Sequence, residues 1–470
     1  MKIHLYNTAS RKIQEIQPIN DSQIGMYSCG PTVYYYAHIG NLRTYVCADV
    51  LRRSLEYAGF HVQQVMNITD VGHMTGDEEA GEDKIEKRAL IENLTPWEIA
   101  RFYEEYFFRA IEKLNILPPN IKPRGTEHIP EMIRLIERLE MRGYTYRTNV
   151  GVIFDTAKFP HYPDFAGLKL KGQISGHRVK IDPERRRPWD FALWVTNQSK
   201  HIMQWDSPWG RGFPGWHIEC SAMSMKYLWE QLDIHTGGID HIPVHHTNEI
   251  AQSEAATGKQ FVKYWFHCNF LTVEDHKMSK SLGNLYTLED LEIREIMPLS
   301  FRYFCLYSSY MKSVNFTWEA LNAAQKSLIK LWTKVKDFPI PSHPILELLN
   351  RFEAATGDNL NTPVALAVLW ETINSEYPDE QKAATILKMD GILGLGLYDS
   401  SFYLQRAETL FSKSANREEA AELAEKRKTL RDERKFNEAD QIRNQILGLG
   451  FLVKDTRGGF ELVPYKAGGK

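Results

Sequence analysis

Apolar residues recur at helical spacing between Leu42 and Ala58, through Val46, Val50, Leu51 and Leu55, while Arg52 and Arg53 fall off that face. The pattern predicts a core-packed helix, stopped by Gly59. Ahead of it, Ile24 to Cys29 reads as a strand; after it, His61 to Ile68 reads as a second strand that ends at Thr69 and Asp70. Strand, helix, strand is the opening of a parallel nucleotide-binding fold, whose ligands gather at the carboxyl ends of the strands. The Gly-x-Gly-x-x-Gly fingerprint is missing. Gly76 and Gly81 have the separation of a phosphate loop, but Glu82 stands where such a loop needs Lys.

Further along, Asp77 to Lys87 is acidic and reads as a mobile flap, and Pro130 to Arg142 reads as a helix within a segment of strands and Pro-rich turns. The parallel pattern resumes near Ser207, with a helix entered at residues 214–220 and a strand from Asp233 to Thr236. Leu288 to Thr317 and Trp318 to Leu397 read as mostly helical. Asp399 to Asn416 reads as a linker, Arg417 to Leu447 as a charged helix, and Phe451 to Lys454 and Phe460 to Val463 as strands. The fold class is therefore α/β: a Rossmann-type domain in halves, 1–125 and 206–270, around an insertion, 126–205. A connecting region, 271–317, a helical bundle, 318–400, and a small mixed C-terminal domain, 401–470, complete the reading.

A chain of 470 residues exceeds what one core supports, in keeping with several domains. No apolar run reaches the length of a membrane span, and Met1 to Lys12 lacks the core of a signal peptide, so a cytoplasmic protein is expected. Five scattered cysteines, Cys29, Cys47, Cys220, Cys268 and Cys305, argue against a disulfide framework and for burial or metal binding. With a net charge of −3, any RNA contact must use local patches.

Two short strings bear chemistry. His-Ile-Gly-Asn at 38–41 lies between the first strand and its helix, where backbone N–H groups face an anion. Gly40 would let ATP approach the backbone, His38 can donate to phosphoryl oxygens, and Asn41 offers a further amide. Lys-Met-Ser-Lys-Ser at 277–281 sets Lys277 and Lys280 on a Ser-rich loop able to close over pyrophosphate. Gly237 and Gly238, after a strand, also permit close approach of a ligand.

Cys29 at a strand end, Cys220 in a helix, and His245 and Glu249 four residues apart on one helical face make a possible zinc shell. Spacing leaves the choice open, since His217, Glu219, His235, His241 and His246 are equally available.

The pair of strings resembles the class I aminoacyl-tRNA synthetases. Tyr-Ser-Cys-Gly-Pro-Thr-Val-Tyr at 27–34, Asn-Ile-Thr-Asp at 67–70, Pro-Arg-Gly-Thr-Glu-His-Ile at 123–129 and Gly-Trp-His-Ile-Glu-Cys-Ser-Ala-Met at 215–223 narrow the resemblance to the cysteine-specific family. The resemblance implies activation of L-cysteine by ATP with magnesium, transfer to tRNA(Cys), one zinc per chain and a monomer. It puts the zinc on Cys29, Cys220, His245 and Glu249. It puts ATP against His38, Gly40, Asn41, Gly238, Asp240, Lys277 and Lys280, and the amino acid among Cys29, Gly30, Thr69, Trp216, Asp240 and His245. It makes 271–317 a region that meets the tRNA stem and 401–470 an anticodon-binding domain that uses Arg431, Phe436, Asp440 and Asp455.

A basic cluster, Lys180 with Arg185, Arg186 and Arg187, reads as a contact for acceptor-stem phosphates. The chain departs from the family pattern in Asn41, in Thr247 and in the long acidic stretch before Lys84. Two rivals are a ligase joining cysteine to a small amine, disfavoured by the complete C-terminal region, and a non-catalytic RNA-binding relative, disfavoured by the intact strings.

Overall fold

The strand expected at Ile24 to Cys29 is Gln23–Ser28, an inner strand of a parallel sheet in the spatial order Val262–Cys268, Leu232–Gly238, Gln23–Ser28, His61–Met66. The computed structural model describes residues 1–72, 74, 83–168, 184–279, 282–433, 435–449, 451–456 and 459–464. Five of the six residues of Gln23–Ser28 are buried, as expected of a strand covered on both faces. The chain leaves this strand for His61–Met66 on one side, and Leu232–Gly238 lies on the other. The carboxyl end of Gln23–Ser28 is therefore a switch point, where a crevice opens for a ligand.

The helix read from Leu42 is Ile39–Tyr57, capped by His38, with Leu42, Val46, Val50, Leu51 and Leu55 all buried. Gly59 follows the C-cap at φ +94°, a conformation that glycine tolerates. In the inserted segment the helix Ile129–Met141 packs on an antiparallel sheet ordered Thr145–Thr148, Gly151–Phe154, Phe191–Thr196, Gly212–Pro214. Met132, Ile136 and Leu139 share a core there with Phe154, Leu193 and Trp194 and, from the parallel domain, with Ile218, Ala222 and Ala251. The last strand of that sheet lies beyond residue 205 and runs straight into the helix Trp216–Leu228.

Three expectations are corrected. The acidic stretch read as a flap does not stay irregular to Lys87: Asp83 accepts from the N–H groups of Ile85 and Glu86 and caps a helix, Lys84–Glu92. Its residues 77–82 lie outside the described residues. Val314–Phe316, read within a helical region, is a strand parallel to Leu271–Val273, because Leu271 and Val273 present a partner that helical periodicity does not reveal. The expected linker, Asp399 to Asn416, is the first half of one helix, Ser400–Asp432. No Pro or Gly interrupts that stretch, and Tyr403 stacks on Trp332 at 5.2 Å while Ala407 joins the bundle core.

The bundle helices Trp318–Val335, Leu346–Gly357, Thr362–Asn374 and Asp379–Leu393 share one core with the Ile39–Tyr57 helix. Buried Arg302 fastens the junction: it pairs with Asp49 at 2.6 Å and donates to the carbonyls of Leu393, Leu114 and Asn115. At the C-terminus the helix Phe436–Gly448 and the hairpin Phe451–Thr456 with Gly459–Pro464 enclose Ala420, Ala424, Ile442, Ile446, Phe451 and Val453.

Candidate active site and metal cluster

Four strand ends form the floor of the crevice. Cys29 follows Gln23–Ser28, and its N–H donates to Thr236 O at 3.2 Å. Gly30 N–H donates to Asn67 Oδ1 at 2.8 Å, and a Cβ on Gly30 would overlap the Asn67 carbonyl, so only glycine lets these turns meet. Thr69 is tied to the first turn through Thr69 N–H to Pro31 O at 3.1 Å and Val33 N–H to Thr69 O at 3.2 Å.

Two helices lean over this floor. Trp216–Leu228 brings Trp216 and Cys220, one turn apart, while a π-helical turn, Ile242–His246, leads into Thr247–Thr257 and brings His245 and Glu249 together. The ligand atoms of Cys29, Cys220, His245 and Glu249 lie within 4.8 Å of one another, and all four residues are buried. Cys29, His235, His246 and Glu249 form a second such group, so the two sets share Cys29 and Glu249.

The donors fit a metal ion. Glu249 is fully buried, and its Oε1 lies 3.0 Å from His245 Nε2 without the geometry of a hydrogen bond, which leaves that oxygen for another partner. Its Oε2 is paired with His235 Nε2 at 2.9 Å. Burial opposes the charge of Glu249, yet His235 and His245 hold its carboxyl down at about 2. The Cys220 thiol is lowered to about 6, first by its hydrogen bond with Cys29 and then, against burial, by His245. Burial opposes the charge on His245 too, but Glu249 and Cys220 raise it to about 10.

An outer layer of imidazoles orients these groups. His217 Nδ1 meets His245 Nδ1 at 2.9 Å, and Trp216 covers His245 with ring centroids 4.5 Å apart. His246 Nε2 lies 3.3 Å from Cys29 Sγ, its Nδ1 lies 2.8 Å from His267 Nε2, and His267 Nδ1 is 2.7 Å from Thr8 Oγ1.

The two signature strings touch. His38 Nδ1 accepts from Asn41 N–H, and Asn41 Oδ1 accepts from His38 N–H, both at 3.3 Å, so Asn41 closes a capping box, a role spacing did not suggest. Ile39 N–H donates to Tyr286 O at 2.8 Å, and a Cβ on Gly40 would come within 2.9 Å of Met278 Sδ. Lys277 is exposed on the short strand His276–Lys277, and Asn284 holds the following turn by accepting from Ser279 N–H at 2.8 Å. Lys280 lies outside the described residues. Gly238 ends its strand beside the exposed Asp240, whose carboxylate occupies the space a Gly238 Cβ would need.

In the C-terminal segment, Arg431 lies in the last turn of the long helix, Phe436 is 56 % exposed, and Asp440 lies one turn further on. Asp455 belongs to the strand Phe451–Thr456. Arg186 and Arg187 are each 3.0 Å from Asp155, which takes up part of the charge read as a phosphate contact; Lys180 lies outside the described residues.

Sequence reasoning did not single out His267, or the partners of Asp70. That carboxylate accepts from Thr126 N–H at 2.8 Å and Thr126 Oγ1 at 2.6 Å, and Glu219 is buried nearby. The string at 123–129 was the available signal, but only its spatial return beside Asp70 gives it meaning.

The profile of the tRNA synthetases class I (C) catalytic domain matches residues 15–326. A cysteine–tRNA ligase of Treponema denticola is 43 % identical, covering 97 % of this chain and 99 % of that one. Cysteine–tRNA ligase 1 of Burkholderia lata is 46 % identical over 98 % and 97 %, and a cysteine–tRNA ligase of Thermus thermophilus is 40 % identical over 98 % of each. Among solved structures, a Mycobacterium tuberculosis methionyl-tRNA synthetase in complex with methionyl-adenylate shares the fold, with a TM-score of 0.55 and 16 % identity over 83 % of this chain and 93 % of that one. On its sequence and its fold, the chain belongs to the class I cysteine–tRNA ligase family.

Proposed function

We propose that the protein activates L-cysteine with ATP to cysteinyl-adenylate and transfers the cysteinyl group to the 3′ end of tRNA(Cys). The observation that carries this reading is the buried cluster of two thiols, one imidazole and one carboxylate at the switch point, beside the joined signature strings. Zinc held by Cys29, Cys220, His245 and Glu249 would stabilise a substrate thiolate and ligate it, which the hydroxyl of serine does not match. The first set is favoured over the second because His235 and His246 already orient Glu249 and Cys29. A difference of one methylene is worth only about 1–3 kcal/mol in a pocket, so ligation suits discrimination better than size does.

The remaining work is positioning and charge. Trp216, Thr69 and Gly30 would shape the amino-acid pocket, with Asp240 at its rim. The N-terminus of Ile39–Tyr57, with His38, Gly40 and Asn41, would face the ATP phosphates, together with Gly238 and the magnesium that accompanies the nucleotide. Lys277 and Lys280 would neutralise the leaving pyrophosphate. The substrate carboxylate attacks the α-phosphate, so the chain needs no covalent intermediate of its own.

In this function residues 1–125 and 206–270 would be the catalytic halves, with 126–205 inserted between them. Residues 271–317 would meet the stem, 318–400 form the helical bundle, and 401–470 read the anticodon. There Phe436 suits stacking on an unpaired base, with Arg431, Asp440 and Asp455 offered to base edges or phosphate. None of the helices among the described residues is long and apolar enough to cross a membrane, and a cytoplasmic monomer fits the reading.

Charging of unfractionated tRNA with labelled cysteine, paired with labelled serine, tests the assignment. Cysteine-only charging is expected, and Arg431→Ala with Phe436→Ala should lose charging while adenylate formation persists. Adenylate formation without charging in the unaltered protein would move the assignment to a ligase with a small acceptor.

A further inference from the structure

Between Cys29 and His38 lie three consecutive tyrosines, Tyr34, Tyr35 and Tyr36, that the chemistry above does not use. They begin a file of rings. Tyr34 and Tyr35 have centroids 6.5 Å apart, Tyr35 and Tyr36 5.4 Å, and Tyr36 and Phe102 6.4 Å. Tyr103 and Tyr106 support the file from the helix Pro96–Lys113, at 5.1 Å and 4.8 Å from Tyr36. One end lies beside the crevice, since Val33 is bonded to Thr69. The other reaches solvent at Phe102, which is 42 % exposed, and the three tyrosines between are partly exposed.

Cations run along the same file. The helix Lys84–Glu92 sets Lys84 Nζ over the Tyr34 ring at 5.5 Å and the Arg88 guanidinium over Tyr35 at 5.4 Å and Tyr103 at 6.0 Å. Glu92 holds Arg88 in place and accepts from Tyr103 at 3.0 Å. Packing explains part of this, because Tyr34 and Tyr36 rest on Val33, Ile85, Ile99 and Tyr103. It does not explain why an exposed phenylalanine continues the line. Partly exposed rings with interleaved cations suit an unpaired nucleic-acid strand: bases stack on the rings and phosphates meet the cations, with little dependence on sequence.

We propose that Tyr34, Tyr35, Tyr36 and Phe102, with Lys84 and Arg88, form a track that guides the single-stranded 3′ end of tRNA to the Cys29 cluster. The terminal nucleotide passes Tyr34 on its way to the adenylate, and the preceding nucleotides lie toward Phe102. This assignment rests on the ligase reading above and adds the residues that handle the acceptor strand.

The test uses the full-length zinc-loaded protein, Tyr35→Ala, and the double variant Lys84→Gln with Phe102→Ala, whose changes lie nearer the surface should Tyr35→Ala fail to fold. Cysteine-dependent ATP–pyrophosphate exchange needs no RNA and is expected to be kept within about twofold. Single-turnover transfer to tRNA at subsaturating concentration should fall about tenfold or more, the scale of one lost stacking contact. Binding of tRNA trimmed of its unpaired 3′ nucleotides should be the same for the variants and the unaltered protein, while binding of intact tRNA weakens. Equal weakening with trimmed and intact tRNA, or unchanged transfer, overturns the track. Equal loss of exchange would assign these rings to ATP instead. Failure of the unaltered protein to charge tRNA would remove the ligase reading itself, an outcome distinct from any of these.

Discussion

Gly237→Ala tests whether the outer imidazoles govern the candidate metal site. Gly237 sits near the end of Leu232–Gly238 and is not among the glycines at positive φ, so alanine adds no backbone strain and its methyl acts by contact alone. That methyl would stand 2.6 Å from His246 Cε1, 2.9 Å from His241 Nδ1 and 3.1 Å from His246 Nε2, where ordinary contact begins at 3.4 Å. His246 has little freedom to retreat: it is fully buried, bonded to His267 at 2.8 Å and packed on Trp265 at 4.8 Å. Its other ring nitrogen faces Cys29 Sγ at 3.3 Å, so displacement passes to the thiol. Overpacking of this kind costs about 1–3 kcal/mol. If the loaded site carries that cost, zinc affinity falls about 5- to 150-fold. Competition with a chromogenic zinc chelator measures it. Gly391→Ala is the control, since apart from its chain neighbours and the backbone of its own helix, Asp379–Leu393, no atom lies within 4 Å of its Cβ, and it should leave zinc affinity unchanged. Zinc affinity within twofold of the unaltered protein for Gly237→Ala would refute the coupling of His246 to Cys29.

Burial raises the Asp70 carboxyl to about 6 even though Thr126 and Arg124 favour its charge, so the native state takes up a proton before the unfolded chain does. Stability contributed by this group is therefore present at low pH and is lost as pH rises from about 4 to about 6, by about 3 kcal/mol in total. Urea unfolding across that range should show this slope in the unaltered protein relative to Asp70→Asn; parallel curves would contradict it. Arg302→Ala strands the carbonyls of Leu393 and Leu114, while Asp49 and the Asn115 carbonyl keep Arg53, so at about 1–3 kcal/mol for each unpaired acceptor it should cost about 2–6 kcal/mol by urea unfolding. A loss below about 1 kcal/mol would show that the junction between the signature helix and the bundle is fastened elsewhere.

The first strand, the signature helix and the helix at Ile129–Met141 were legible because each carries its own periodicity. The long helix Ser400–Asp432 was not, because Tyr403 in its first turns packs on Trp332, 71 residues earlier in the chain, a partner visible only in the fold. Val314–Phe316 likewise depends on Leu271–Val273 for its identity as a strand. At the cluster, spacing left several histidines and Glu219 open beside the set that the resemblance implied. The fold resolves the ambiguity into two overlapping groups by burying His235 on a strand and His246 on a π-helical turn against the same carboxylate. Asn41 looked like an ATP contact, yet its visible work is to cap the helix that would present the phosphates. His267, Tyr35 and Tyr36 carried no local pattern, and they acquire significance from neighbours distant in sequence.

On the proposed function, a metal held by Cys29, Cys220, His245 and Glu249 selects cysteine at the activation step. Pyrophosphate exchange should be followed with cysteine and with serine, on zinc-loaded protein, on protein stripped by a chelator, and on stripped protein given zinc again. Exchange with cysteine alone is expected, lost on stripping and restored by zinc. Exchange with serine at a comparable rate, or exchange with cysteine that survives the loss of metal, would contradict it.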